Sequence, residues 1–287
     1  IRQKILLLSG DALLERANNE FPFRADPSFY YKILDEFKIN GGHSSRIISK
    51  FNGQIESGLG SSASAAVALV GAINKRLKLG MDTSQIAYKA WDIEVNKLGL
   101  FGGKQDQYAA ALGGVNVLQF LAGGVKATPL SRGFIEKLSE YISLFYTGDN
   151  RKDTKIQEKM KELTPEREKS LLKIKQLCLD AIDPIAQGDY KKVGKLMNEA
   201  WENKKASNPL VTTKRIDDIY ETALRSGALG GKIMGSGGGG YMFFICDPKK
   251  SDSLIKSLKE IGCEWIDFCI DWNGLETYQM PYCPISL

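Results

Sequence analysis

Apolar residues recur at helical spacing through most of this chain and alternate with polar ones in a few short runs. Between Pro27 and Phe37, the residues Tyr30, Ile33, Leu34 and Phe37 fall on one face, which predicts a helix. The alanine-rich run from Ala65 to Leu79 predicts a second helix, stopped by Gly80. Asp82 and Thr83 cap a third over Ser84 to Asn96, whose Ile86, Ala90 and Ile93 share a face. Leu98 to Gly103 reads as a turn, and Asp106 to Leu112 as a short helix ended by Gly113-Gly114. Val115 to Phe120 and Val125 to Pro129 read as a hairpin around Ala122-Gly123-Gly124. Arg46 to Lys50 reads as a strand, and Lys4 to Asn18 as a short strand and helix.

The pattern changes near Arg132. Tyr141 to Tyr146 is strand-like, and two long charged helical stretches follow, Ile156 to Ala186 with a break at Pro165 and Tyr190 to Ser207. Thr212-Thr213 start a helix that ends near Gly227. Next come a strand, a glycine loop, a strand over Tyr241 to Cys246, a helix over Ser251 to Ile261 and a strand over Trp265 to Ile270. Strands and helices in this order predict an α+β fold of two domains, residues 1–132 and 133–287.

Composition narrows the class. The 287 residues are 43% hydrophobic and 25% charged, which suits a globular protein large enough for two domains. The net charge of +5 comes without a basic stripe interleaved with aromatics, which argues against nucleic acid as a partner. No apolar run reaches membrane-spanning length and no signal peptide is visible, so no membrane partner is expected. The five cysteines (Cys178, Cys246, Cys263, Cys269 and Cys283) include no C-x-x-C pair, which points to a reduced, cytoplasmic protein without a zinc site. Cys246 and Cys269 lie in apolar runs and are expected in the core. The one histidine, His43, rules out a histidine cluster and reads as a loop residue.

Three glycine-rich segments carry the candidate chemistry. Ser57-Gly58-Leu59-Gly60-Ser61-Ser62-Ala63-Ser64 runs straight into the alanine-rich helix. Small residues leave amide hydrogens bare, and a helix start adds unpaired N–H groups and partial positive charge, so this loop suits a polyphosphate. The serine hydroxyls add ligands for magnesium. Ordinary helix capping is the competing reading. No Gly-Lys-Ser/Thr closes the loop, so it is not a P-loop of the Walker type. The second segment is Gly102-Gly103-Lys104-Gln105-Asp106-Gln107, and the third is Lys232-Ile233-Met234-Gly235-Ser236-Gly237-Gly238-Gly239-Gly240. The five glycines at Gly235 and Gly237 to Gly240 exceed what one turn needs, which suggests backbone approaching a ligand; a flexible connection is the alternative.

In this order the three segments resemble the motifs of the GHMP small-molecule kinases, the family of galactokinase and homoserine, mevalonate and phosphomevalonate kinases. The resemblance spans roughly residues 45–271, and the first motif departs from the family's pattern only where Gln54 replaces a leading proline. It implies a ribosomal-S5-like N-terminal domain and a ferredoxin-like C-terminal domain. It implies ATP and Mg2+, with the nucleotide held by Gly58, Leu59, Gly60, Ser61, Ser62, Ala63 and Ser64, and the metal by Ser62 and Glu94. Asp106 would orient and deprotonate the acceptor hydroxyl; a helix cap is its bland alternative. Lys104 would neutralise the transferring phosphate or hold Asp106 ionised, or else be a surface lysine. Gly102, Gly103, Gln105, Gly235, Ser236, Gly237 and Gly238 would contact substrate. The chain opens on Ile1 without the segment the family places before the phosphate loop, so a fragment is expected, with a basic catalytic residue and part of the sugar and adenine pockets outside it.

Residues 102–116, together with Tyr146-Thr147-Gly148 and Arg151, resemble the heptose kinases more than the mevalonate kinases. That resemblance implies a sugar phosphate acceptor, D-glycero-D-manno-heptose 7-phosphate, phosphorylated at its anomeric hydroxyl. Arg151, Lys152 and Lys155 are the candidate anchors for its phosphate, with a solvated charged face as the alternative. A fucokinase-like sugar-1-kinase and a non-catalytic binding protein of the same fold stay open. The sequence does not speak to oligomeric state.

Overall fold

In a computed structural model, the chain is described for residues 3–9, 27–39, 45–51, 58–149 and 154–278. These residues form two compact units: 3–9, 27–39, 45–51, 60–129 and 271–278 in the first, and 58–59, 130–149 and 154–270 in the second. The expected division into 1–132 and 133–287 differs from these units in that the chain changes unit after Pro129, residues 58–59 join the second unit, and residues 271–278 join the first. The segment from Asp271 returns to the first unit, where Leu275 N donates to Ala111 O at 3.0 Å and Gly114 N to Asp271 O at 2.7 Å. Glycine permits this return: a Cβ on Gly113 would lie 2.3 Å from Gly274 N.

In the first unit, β1 (Gln3–Ser9) and α1 (Pro27–Glu36) precede β2 (Ser45–Phe51). β1 and β2 pair antiparallel, Gln3 opposite Phe51 and Ser9 opposite Ser45. Helices α2 (Ser61–Leu77), α3 (Thr83–Asp92) and α4 (Gln105–Leu112) follow, then the hairpin of β3 (Asn116–Leu121) and β4 (Gly124–Pro129). The core is Ile33 of α1, Leu69 and Ile73 of α2, and the helical stripe Ile86, Ala90 and Ile93 that the sequence pattern marked. Asp82 caps α3 in a capping box with Gln85. Two boundaries differ from expectation. Helix α2 begins at Ser61 instead of Ala65, because Gly60 adopts φ +68° and turns the chain directly into the helix. Helix α3 stops at Asp92 and continues as a π-helical turn over Ile93–Lys97.

The second unit holds α5 (Arg132–Ser139), β5 (Ile142–Tyr146), α6 (Thr154–Lys161), α7 (Pro165–Asp180), α8 (Ile182–Gln187), α9 (Tyr190–Ser207), α10 (Lys214–Arg225), β6 (Ala228–Ile233), β7 (Tyr241–Cys246), α11 (Pro248–Glu260) and β8 (Glu264–Ile266). A 3-10 turn spans Pro209–Val211. The strands form one antiparallel sheet in the order β6-β7-β5-β8. With helices between β5 and β6 and between β7 and β8, this is the β-α-β-β-α-β order of a ferredoxin-like sheet. Trp201, Phe145, Phe244, Ile219 and Leu254 are buried between sheet and helices. The last strand ends at Ile266, short of the expected Ile270, and Cys269 is exposed and not a core residue; Cys246 is buried as expected. His43, Arg151, Lys152 and Cys283, and most of the run from Lys4 to Asn18, lie outside the described residues. No helix among those described is long and apolar enough to cross a membrane.

Helix α9 crosses β6 at backbone contact. A Cβ on Gly230 would meet Gly194 O at 2.0 Å and Asn198 N at 2.9 Å. This close crossing is why Gly230 and Gly194 are glycines, and it fixes the height of α9 over the sheet. Gly230→Val is therefore expected to lower stability by about 3 kcal/mol, the upper end of overpacking costs. Chemical denaturation of the purified variant reads this; a loss under about 1 kcal/mol would mean that α9 lifts freely from the sheet.

Candidate active site

The first turn of α2 is uncapped by any side chain, a geometry that suits an anion. Gly60, at its N-cap, has no side chain to cap the helix, so the amides that follow stay available, and Ser64 N already bonds Gly60 O at 2.9 Å. Ser61, Ser62, Ala63 and Ser64 thus belong to the helix start, where the sequence placed a loop. Ala63 is buried and anchors the turn; Ser62 faces outward.

Ser62 Oγ donates to Glu94 Oε1, although 32 positions separate them. The other carboxylate oxygen, Oε2, accepts from Gln107 Nε2 at 2.7 Å. Glu94 is only 5% exposed. Burial pushes its carboxyl above the ordinary value, the bonds from Ser62 and Gln107 oppose that rise, and the negative charge of Asp106 adds to it. The π turn puts Glu94 here: its wider winding turns the side chain inward, and Leu98 N bonds Ile93 O across five residues. This excludes the bland reading of Glu94 as a solvated helix carboxylate.

Gln107 is the residue that sequence reasoning missed. Glutamine in a short helix carries no signal of its own, and only folding aligns it with Glu94. Its Oε1 is buried without a hydrogen-bond partner, an orphan acceptor beside a carboxylate and a hydroxyl. That donor set fits magnesium, which takes one or two carboxylates and completes its shell with water and phosphate oxygens. No group of three or more His, Cys, Asp or Glu occurs among the described residues, so the remaining ligands would have to come from nucleotide and solvent.

Asp106 packs on the phosphate turn. A Cβ built on Gly60 would lie 3.4 Å from Asp106 Cβ and 3.7 Å from its Oδ2. The capping alternative for Asp106 fails: it is the second residue of α4, and Lys104 holds the N-cap position. The carboxylate is exposed, and Gln105 Nε2 donates to its Oδ1 at 3.3 Å. Lys104 is placed differently from either functional expectation. Its ammonium lies 4.3 Å from the ring centre of Trp91 and 5.0 Å from that of Tyr88. Trp91 also donates to Gly102 O at 3.4 Å, so this aromatic pair braces the turn that carries Asp106. Gly102 and Gly103 are exposed, with open space where a Cβ would stand.

In the second unit, Gly58 and the glycine loop after β6 touch at backbone level. A Cβ on Gly58 would meet Met234 O at 2.8 Å, and one on Gly235 would meet Gly58 Cα at 2.6 Å. Gly58 (φ +89°) and Gly235 (φ +61°) both adopt left-handed conformations that other residues disfavour. The loop is tied along its length: Gly238 N bonds Val211 O at 2.8 Å, Gly240 N bonds Asp149 O at 2.7 Å, and Thr147 Oγ1 donates to Gly240 O at 2.9 Å. It is therefore not a flexible connection. Gly235 and Ser236 are exposed at its tip, while Gly237 and Gly238 are buried beneath. Arg151 lies outside the described residues, and Lys155 is exposed on α6.

Residues 28–114 match the GHMP kinases N terminal domain, and residues 181–262 match GHMP kinases C terminal. The chain is similar to D-glycero-alpha-D-manno-heptose 7-phosphate kinase of Campylobacter jejuni, with 31% identity covering 78% of this chain and 68% of that protein. It is 32% identical to L-fucokinase/L-fucose-1-P guanylyltransferase of Bacteroides fragilis over 71% of its length, a match that covers 22% of that longer protein. Among solved structures, a D-glycero-D-manno-heptose 1-phosphate kinase from Bacteroides thetaiotaomicron superposes with a TM-score of 0.66 at 27% identity, covering 88% of this chain and 74% of that one.

Proposed function

The chain belongs to the GHMP kinases and is an ATP-dependent carbohydrate kinase, and within that class we propose that it phosphorylates the anomeric hydroxyl of D-glycero-D-manno-heptose 7-phosphate to the 1,7-bisphosphate. The observation that carries the phosphoryl-transfer chemistry is the Ser62–Glu94–Gln107 cluster, with Asp106 packed on Gly60 beside it. The 7-phosphate acceptor is supported by the similarity to the Campylobacter heptose 7-phosphate kinase.

Phosphoryl transfer asks for positioning and charge stabilisation more than for covalent work by the protein. The first-turn amides of α2 and the Ser61 and Ser62 hydroxyls hold the β- and γ-phosphates. Ser62 and Glu94 would hold magnesium, which when bound would supply positive charge to the phosphate oxygens. Asp106 accepts the hydrogen bond of the acceptor hydroxyl and takes its proton as the new bond to γ-phosphorus forms and the bond to ADP breaks. Lys104, stacked on Trp91 and Tyr88, keeps the Gly102–Asp106 turn in place. Gly102, Gly103 and Gln105 border the acceptor.

A substrate that already carries a phosphate offers charge-assisted hydrogen bonds that neutral sugars lack, and binding energy from that remote group can raise kcat as well as affinity. With ATP consumption as the readout, kcat/KM for heptose 7-phosphate is expected to exceed that for unphosphorylated heptose, galactose or fucose by about 100-fold or more. Equal or better turnover of fucose would favour a fucokinase, the reading that the similarity to the Bacteroides fragilis protein supports.

A further inference from the structure

Helix α9 carries a lysine that the phosphate chemistry leaves unused. Lys204 Nζ donates to Gly235 O at 2.8 Å and reaches Ile233 O at 3.5 Å. Both acceptors are main-chain carbonyls at the start of the glycine loop. Gly235 is the residue that abuts Gly58, at a separation that leaves no room for a side chain on either. The contacts run in one line from α9 through the Gly235 carbonyl to Gly58.

We propose that Lys204 is a positioning residue for the nucleotide: its ammonium pins the Gly235 carbonyl, and through Gly235 it sets where Gly58 lies. The place is a costly one for a lysine. Burial, and secondarily the positive charge of Lys232 on β6, push its ammonium down to about 7. No carboxylate among the described residues lies within ion-pair distance of it. The adjacent Lys205 points elsewhere, over the Trp201 ring and to Glu202 at 2.9 Å and Asp217 at 4.0 Å. Lys204 is half-buried, so its ammonium gives up part of its hydration for two carbonyls beside a like charge, which is unfavourable for folding. What it gains is control of a loop whose tip faces the phosphate turn's first glycine. The close crossing of α9 over β6 at Gly194 and Gly230 makes the reach of Lys204 to Gly235 rigid.

The nucleotide part of this proposal rests on the kinase reading above, so the test uses two independent readouts on the full chain. The first is amide hydrogen exchange across residues 234–240 without nucleotide. Lys204→Met, which keeps the stem and removes the charge, should speed exchange there by about tenfold, the loss expected for a hydrogen bond to a charged group. The second is steady-state kinetics. The same variant should raise the KM for ATP by about tenfold, and leave the acceptor KM at saturating ATP within about twofold. Its Tm should not fall, because a partly desolvated charge beside a like charge has been removed. Lys204→Arg should recover most of the ATP affinity. Lys204→Gln serves the same comparison if the methionine variant does not fold. Unchanged exchange at 234–240 would overturn the proposal. So would a lowered Tm with faster exchange throughout α9 and β6, which would make Lys204 merely structural. Faster loop exchange in Lys204→Met, in a protein whose wild type binds no ATP, would support the pinning and overturn the kinase reading instead.

Discussion

Asp106→Asn lowers kcat by roughly 100-fold or more, within the span measured for lost general bases, and leaves the KM for ATP close to its wild-type value. Asparagine keeps the shape that packs on Gly60, so the phosphate turn is undisturbed. It removes the negative charge and the oxygen that would take the acceptor's proton. The loss therefore falls on the chemical step, and single-turnover rates read it without interference from product release. Asp106 is solvent-exposed, and among the described residues its carboxylate accepts from Gln105 alone, so no stability loss is expected to confound the result. A variant with near-normal kcat would remove Asp106 from the reaction and leave it as a first-turn carboxylate that favours the α4 N-terminus.

Glu94→Gln is expected to reduce kcat/KM by about 100-fold at ordinary magnesium, the scale of several kcal/mol of metal-supplied charge stabilisation. It should also raise the magnesium concentration needed for half-maximal rate. The amide still accepts from Gln107 or Ser62 but offers the metal no negative charge. Burial disfavours the charged carboxylate at this position, so its removal should leave Tm unchanged or higher. A magnesium titration of initial rates, paired with a melting curve, separates the two. Unaltered magnesium dependence would make Glu94 a structural anchor of α2 and refute its place in the metal site. Ser62→Ala should move the magnesium requirement in the same direction by less, since a neutral hydroxyl contributes less than a carboxylate.

Local signals gave much of this protein directly. Periodicity alone marked the Ile86, Ala90 and Ile93 face of α3 and the span of α9, because a helix that buries one stripe must repeat near 3.6 residues. The Thr213 and Asp82 caps were legible because capping needs only a side-chain oxygen next to the helix it starts. The three glycine segments announced backbone close to something, since glycine is the residue that permits it. What each glycine approaches was decided only by the tertiary structure. Gly58 and Gly235 are paired across most of the chain, and Gly230 belongs to a helix crossing. Partners so far apart in sequence leave no local trace. The same holds for the site. Ser62, Glu94 and Asp106 stood out by their motifs, but Gln107 joined them only through the packing of α4 against the π turn, and Lys204 reached Gly235 only because α9 lies flat on β6. The π turn itself was hidden, because one residue's change in winding leaves the apolar periodicity almost intact. Sequence therefore determined which segments are helix, strand and glycine-rich turn, through interactions among near neighbours. Tertiary structure decided which side chains and carbonyls meet, because burial and backbone contact depend on residues that only the folded chain brings together.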